Sequence, residues 1–163
     1  PALVGIFVNM PADGVADIIE RAGLDFAQLS GDEPAQSLQA LHGQVIKAIR
    51  PPDLQAALDD LAAYQPSFAD DERAPSLVLD AYHPSLYGGT GEQASTDVAL
   101  AVKARVPRLM LAGGLHPDNV AERVAAVQPW GVDVASGVEG DQPGRKDADK
   151  MRKFIAAAKG KPS

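Results

Sequence analysis

Two aspartates stand where a carboxylate could act as a base. Asp80 ends the apolar run 77–80, and Asp133 lies between two valines. A buried carboxylate is costly, so each must be paired or face a ligand. Asp80 is therefore a candidate general base, with a helix cap or a partner for Lys47 as an equally weighted alternative. Asp133 is a candidate for contacts with substrate hydroxyls, or it neutralises Lys47.

Lys47 lies inside the apolar run 45–49. A charge within a buried strand must be paired or must face a site. Pairing with Asp80 or Asp133 is expected at least as readily as a catalytic role.

Glycines follow two neighbouring apolar runs. Gly113 and Gly114 follow residues 109–112, and Ser136 and Gly137 follow residues 132–135. Glycines let bare backbone N–H groups approach an anion, and helix N-termini add positive potential. Together the two loops predict a phosphate site that needs no lysine; the alternative is that the glycines only permit tight turns.

Three histidines and one further glycine-rich segment have weaker interpretations. His42, His83 and His116 have no mutual spacing typical of a metal site. Residues 87–92 lack the GK[ST] ending of a P-loop, and their glycines come eight residues after the strand end, so both nucleotide-binding interpretations are rejected. A loop that covers the substrate fits that segment better, and His83 and His116 remain weak candidates for substrate contact.

Net charge and composition exclude several classes of binding partner and several kinds of site. The 163-residue chain has a net charge of −7 and a pI of about 4.8, which excludes binding of nucleic acid or anionic membranes through bulk charge. It contains no cysteine, so disulfides, zinc–thiolate sites and thiol nucleophiles are excluded for these residues. No apolar run approaches the ~20 residues of a membrane span, and no signal pattern is present, so a cytoplasmic location is expected.

The elements that must position these residues alternate along the chain. Apolar runs predict strands, and helical spacing between them predicts helices, which together indicate an α/β fold with a parallel sheet. The predicted strands are 3–8, 26–29, 45–49, 77–80, 109–112 and 132–135; the predicted helices are 12–22, one opening at Pro34, 52–63, 95–104, 117–127 and 148–158.

Six units in one domain, 1–163, average about 27 residues each. That length is close to the roughly 31 residues per unit of an eight-unit (β/α)8 barrel. The unit count predicts an incomplete barrel of about six units. An open doubly wound sheet has the same periodicity and stays open as an alternative.

Five segments, in order, resemble phosphoribosylanthranilate isomerases, and they span essentially the whole chain. They are residues 4–9, 27–33, 79–80 with 87–91, 111–120, and 131–139 with 143–147. The match corresponds to the third to eighth βα units of that family, so the resemblance implies a domain that lacks the two N-terminal units.

The resemblance implies an Amadori rearrangement of N-(5'-phosphoribosyl)anthranilate in tryptophan biosynthesis, without metal or cofactor. Asp80 would remove the proton from sugar C2. Gly113, Gly114, Ser136 and Gly137 would hold the phosphate, and Asp133 would contact the sugar hydroxyls. The family's acid, a cysteine after the first strand, and an arginine after the second strand fall in the unmatched units. Ser30 stands where the family commonly carries histidine.

We therefore expect little or no activity from this chain alone. The strands at 3–8 and 132–135 would lack partners, and unpaired edges invite self-association. One alternative is a non-catalytic phosphate-binding protein. Another is a sugar-phosphate epimerase, which explains the two glycine loops but not segments 87–91 and 131–139.

Overall fold

A computed structural model describes residues 1–41, 43–68, 71–81 and 95–160. In these ranges six strands alternate with six helices. They are β1 Val4–Phe7, α1 Ala12–Ala22, β2 Phe26–Leu29, α2 Ala35–Ala40, β3 Val45–Ile49, α3 Leu54–Tyr64, β4 Leu77–Leu79, α4 Thr96–Lys103, β5 Leu109–Leu111, α5 Val120–Val127, β6 Gly131–Val132 and α6 Ala148–Ala158. Two 3₁₀ turns, Gln65–Ser67 and Ser136–Val138, complete them. No helix in these ranges is long and apolar enough to cross a membrane.

The strands pair in sequence order, β1 to β6, and every pair is parallel. A doubly wound sheet reverses its strand order at a switch point. The observed order has no reversal, so the barrel interpretation is confirmed and the doubly wound one is wrong. The strands form a curled half-barrel.

In the described part of the chain, helices cover one face of the sheet. Three of the four core clusters join strands or strand-following loops to helices, whereas the fourth contains none of the described helices' residues. This inner cluster consists of Phe26, Ile46, Ala48, Ala74, Val78 and Ala112, with Ala2 and Met110 against it. It is the interior of the curled sheet, and its upper rim, where the strands end, is where ligands bind in such folds.

Side chains cap the starts of three of the six described helices. Asp53, Ser95 and Asp147 accept hydrogen bonds from the first-turn N–H groups of α3, α4 and α6. Gly23 ends α1 with a φ of 64°, a left-handed cap conformation that glycine adopts without strain. The helix predicted from residue 117 begins only at Val120, because the preceding residues form the loop described below.

The inner face is uncovered at the first edge. Val4 and Ile6 of β1 lie on that face and are 38% and 67% exposed. Strand β6, which has two residues, forms the opposite edge of the sheet. The expectation that the first and last strands lack outer partners is met within the described residues.

Lys47 is paired, but its partner is Glu33. Its Nζ donates to a Glu33 carboxylate oxygen at 2.8 Å and to the Gly31 carbonyl at 2.6 Å, and both charged side chains are at most 3% exposed. The predicted pairing with Asp80 or Asp133 is wrong because Lys47 faces the helices: its strand neighbours at positions 45 and 49 pack in helix-side clusters.

The Lys47–Glu33 pair joins the ends of three strands. The other Glu33 oxygen accepts from the N–H groups of Asn9 and Gly31 at 2.8 and 3.1 Å. Burial raises the pKa of Glu33, but hydrogen bonds from Lys47 and Asn9 outweigh this and hold it below its ordinary value. The carboxylate thus stays charged and ties the loops after β1 and β2 to β3.

Lys47→Met should destabilise the fold by about 3 kcal/mol or more, because it leaves the Glu33 charge buried without its cation. The loss should shrink as pH falls, since protonated Glu33 needs no cation. Urea unfolding at several pH values measures both effects. Lys153→Met, at an exposed position on α6, is the control and should change stability by roughly 0.5 kcal/mol or less. Equal stability of the two variants at pH 7 would contradict the role of the pair.

Candidate functional site

The parallel ladder continues one residue past three strand ends. The N–H groups of Asp80, Ala112 and Asp133 donate to the last carbonyl of the preceding strand at 3.0, 2.8 and 2.9 Å. Side chains alternate along a strand, so Asp80 shares the inner face with Val78, two residues earlier. Asp80, Ala112 and Asp133 therefore form one row across the upper rim, with the small alanine between the two carboxylates.

Above this row lies a cavity of about 60 Å³. The site residues predicted from the sequence come together in its wall. It is lined by Asp80, Ala112, Gly113, Gly114, Leu115, Asp133, Val134, Ala135, Ser136 and Gly137.

Close backbone contacts explain two of the glycines. Gly113 has a φ of 83°, and a Cβ there would lie 2.5 Å from the Ala81 nitrogen and 2.7 Å from a carboxylate oxygen of Asp80. At Gly137 a Cβ would lie 1.9 Å from the Leu115 carbonyl oxygen. Only glycine lets the two loops touch each other and the Asp80 carboxylate, so tight-turn geometry alone does not account for them.

Asn119 and Lys146 hold the two loops, and the sequence patterns predicted no role for either residue. The Asn119 amide accepts from the His116 N–H at 2.8 Å and donates to the Gly114 carbonyl at 2.9 Å. Lys146 Nζ donates to the Ala135 carbonyl and to Glu139, both at 2.8 Å. For Asn119 a signal was available, because Asn is a preferred residue at a helix start. The contacts of Lys146 depend on a reversal of the chain between residues 139 and 146, which residue spacing does not reveal.

Burial dominates the electrostatics of both aspartates. It raises the pKa of Asp80, and the Asp133 charge raises it further, while the Ala81 N–H at 2.8 Å and the Arg50 charge oppose the rise. Burial also raises the pKa of Asp133, against the Val134 N–H and the Lys146 charge. A base whose pKa lies nearer the working pH transfers protons more effectively.

Other residues considered from sequence lie elsewhere. His116 follows β5, where its Nδ1 accepts from the Asp118 N–H at 3.3 Å. Ser30 follows β2, and its hydroxyl accepts from the Gln28 amide at 3.0 Å. His42, His83 and segment 87–92 lie outside the described residues. Within the described ranges no group of His, Asp and Glu side chains could hold a metal ion.

This arrangement can combine two chemical tasks. Backbone at two glycine loops can surround an anion, and a partly desolvated carboxylate, fixed by one N–H group, lies at the edge of the same cavity. A ligand with a phosphate and a proton to be removed a few atoms away would fit both.

Comparisons with known proteins agree with this chemistry. Residues 1–157 match the family model described as N-(5'-phosphoribosyl)anthranilate (PRA) isomerase. The chain is 48% identical over 157 residues to the N-(5'-phosphoribosyl)anthranilate isomerase of Geobacter sulfurreducens, covering 96% of this chain and 72% of the relative.

Solved structures give the same result. The chain is similar to phosphoribosyl anthranilate isomerase from Thermotoga maritima, with a TM-score of 0.80 and 32% identity over 98% of this chain and 73% of that one. It is also similar to a phosphoribosyl anthranilate isomerase in complex with reduced 1-(o-carboxyphenylamino)-1-deoxyribulose 5-phosphate, with a TM-score of 0.76 and 30% identity over 98% and 72% of the two chains.

The raised pKa of both aspartates predicts that they destabilise the fold when charged. Because the folded state holds their protons to higher pH than the unfolded state, their contribution to stability falls as pH rises. Asp80→Asn and Asp133→Asn should therefore raise the melting temperature at pH 7, and this gain should vanish below the ordinary carboxyl range. Thermal unfolding from pH 3 to 8 measures it. Asp141→Asn, at an exposed position, is the control; no gain beyond that control at pH 7 would contradict the account.

Proposed function

Because the chain belongs to the N-(5'-phosphoribosyl)anthranilate isomerase family, we propose that its rim cavity binds N-(5'-phosphoribosyl)anthranilate and that Asp80 is the base of the Amadori rearrangement. The family acts in tryptophan biosynthesis. One observation carries the proposal: the Asp80 carboxylate and the two glycine loops share one cavity wall.

The phosphate would lie between the loops after β5 and β6. Gly113 and Gly114 have φ values of 83° and 59°, and no side chain there shields the backbone. Ser136 and Gly137 face them across the contact with Leu115. Backbone N–H groups at such turns bind phosphate without a cationic side chain, which suits a chain of net charge −7.

Asp80 would act one step further along the substrate. When the bond between C1 and the ring oxygen breaks and that oxygen takes a proton, the electron pair of the anthranilate nitrogen forms a protonated Schiff base with C1. This double bond makes the proton on C2 acidic. The Asp80 carboxylate takes that proton, and the electron pair of the C–H bond moves toward nitrogen to give an enolamine, which tautomerises to the ketone. Asp133, on the same row beyond Ala112, is placed to accept hydrogen bonds from the sugar hydroxyls.

Inorganic phosphate should raise the melting temperature of the chain, by the equivalent of about 2.7 kcal/mol at a hundred times its Kd. Gly137→Ala should lose this protection, because its Cβ would push the two loops apart. Gly14→Ala is the matched control: it lies in α1, where a Cβ would come no closer than 3.4 Å to a Met10 side-chain atom. Protection of Gly137→Ala equal to that of the control would contradict the phosphate site.

Ring opening also needs an acid on the far side of the ribose. The resemblance assigns that step to a cysteine, and this sequence contains none. A positioned acid contributes on the order of 10²–10⁴-fold to a rate. We infer that the 163-residue chain by itself binds the phosphorylated substrate but turns it over weakly or not at all.

Turnover of N-(5'-phosphoribosyl)anthranilate should be lower than that of the Geobacter sulfurreducens relative by on the order of 10²-fold or more. Asp80→Asn should remove what remains, because it removes the base. A fluorescence assay of substrate loss, run over a range of chain concentrations with sedimentation in parallel, measures both. The Gly14→Ala variant controls for general effects of substitution.

Three outcomes separate the alternatives. Rates equal to those of the relative would contradict the inference about the acid. Phosphate protection with no turnover in any form would favour a non-catalytic phosphate-binding protein. Activity that rises with association would indicate that a second copy pairs at the open edges, where Ile6 and Val8 are 67% and 45% exposed.

A further inference from the structure

Arg50 extends the row of the rim by one position. Ile49 pairs with Leu79 in the β3–β4 ladder, and the Asp80 N–H donates to the Ile49 carbonyl. Arg50 and Asp80 therefore follow paired residues on adjacent parallel strands, and both continue the inner face of Ala48 and Val78. Arg50 is thus the first residue after β3, and Asp80 is the first residue after β4.

The Arg50 side chain contacts the loop after β2. Its side chain is 13% exposed, and Nη2 lies 3.5 Å from an Asp32 carboxylate oxygen. The Asp32 N–H donates to the Asn9 side chain at 2.7 Å, and the adjacent Glu33 is fixed by Lys47. The buried Lys47–Glu33 pair thus holds the segment that carries the Asp32 carboxylate to Arg50.

The described charges around Asp80 come from strands on its two sides, from β3 next to β4 and from β6 beyond β5. From β3 comes the positive charge of Arg50, which lowers the pKa of Asp80, and from β6 comes the negative charge of Asp133, which raises it after the larger effect of burial. Strand β5, between them, places the uncharged Ala112 and Gly113 at the rim. Lys146 acts on Asp133. Arg50 is the described cation that opposes both burial and Asp133.

We propose that Arg50 is a positioning residue of the reaction: it keeps the Asp80 carboxylate charged beside a second aspartate in a partly buried site. A protonated Asp80 could not accept the C2 proton, and Arg50 is the cation on the neighbouring strand that favours the charged carboxylate. A guanidinium suits the task because it stays protonated at every working pH and cannot become a competing acid. The inference rests on the proposed function only in naming Asp80 the base.

Titration of Asp80 in the ligand-free chain tests the proposal. The ¹³Cγ resonance of Asp80, assigned by its loss in Asp80→Asn, is followed against pH. Arg50→Gln should shift the Asp80 midpoint to higher pH, whereas Arg50→Lys, which keeps the charge, should leave it near that of the unmodified chain. Arg105→Gln is the control, because Arg105 is exposed and donates to the Ala101 carbonyl at the end of α4.

An unchanged midpoint in Arg50→Gln would overturn the proposal, and so would an equal shift in Arg50→Lys, which would show that packing and not charge is responsible. If Arg50→Gln does not fold, the unmodified chain gives the answer. The Arg50 ¹³Cζ resonance should then show a step at the Asp80 midpoint that survives Asp32→Asn, and its absence would overturn the proposal.

The titration needs no substrate, so its outcome is separable from that of the proposed function. Failure of phosphate protection together with the expected Asp80 shift would reject the phosphate site and keep the Arg50–Asp80 coupling. Phosphate protection without the Asp80 shift would keep the phosphate site and reject the Arg50–Asp80 coupling.

Discussion

The register of the parallel ladder is the constraint on which the site depends. Each strand end donates or accepts one further hydrogen bond, so the next residue of each strand is placed at the same height of the rim. Arg50, Asp80, Ala112 and Asp133 lie side by side for this reason alone. A one-residue slip of any strand would turn its rim side chain toward the helices and remove it from the cavity.

The same placement costs stability, and the fold offsets that cost elsewhere. Two partly buried carboxylates stand on one row, and burial raises the pKa of each. On the opposite face of the sheet, a fully buried cation and carboxylate satisfy each other and four backbone groups. The pair on the helix side therefore serves stability, and the charges on the inner side are the ones to which we assign binding and proton transfer in the proposed function.

The sequence predicted the elements that local rules determine. Alternating apolar runs located all six strands, and helical spacing located the helices between them, such as the one that begins at Ala148. Asp80 and the glycine loops were found because strand ends share one edge in any parallel sheet. Periodicity did not determine the order of the strands, which became known only from the strand pairing in the structure.

The wrong prediction for Lys47 has one physical source, the face to which a side chain points. Lys47 and Asp80 are both charged residues of predicted strands, yet one points to the helices and the other to the inner face. Spacing within a single strand cannot tell these faces apart when both are apolar. Asn119, Lys146 and Arg50 were missed for a related reason, because their roles depend on contacts between neighbouring βα loops and strands rather than on a pattern within one segment.

A crystal structure of the chain with reduced 1-(o-carboxyphenylamino)-1-deoxyribulose 5-phosphate tests the central claim most directly. The account predicts that the phosphate of this compound lies against the backbone of Gly113, Gly114, Ser136 and Gly137, with the carbon that corresponds to C2 next to the Asp80 carboxylate. A phosphate bound by other loops, or a ligand whose C2 lies on the far side of the rim from Asp80, would contradict it.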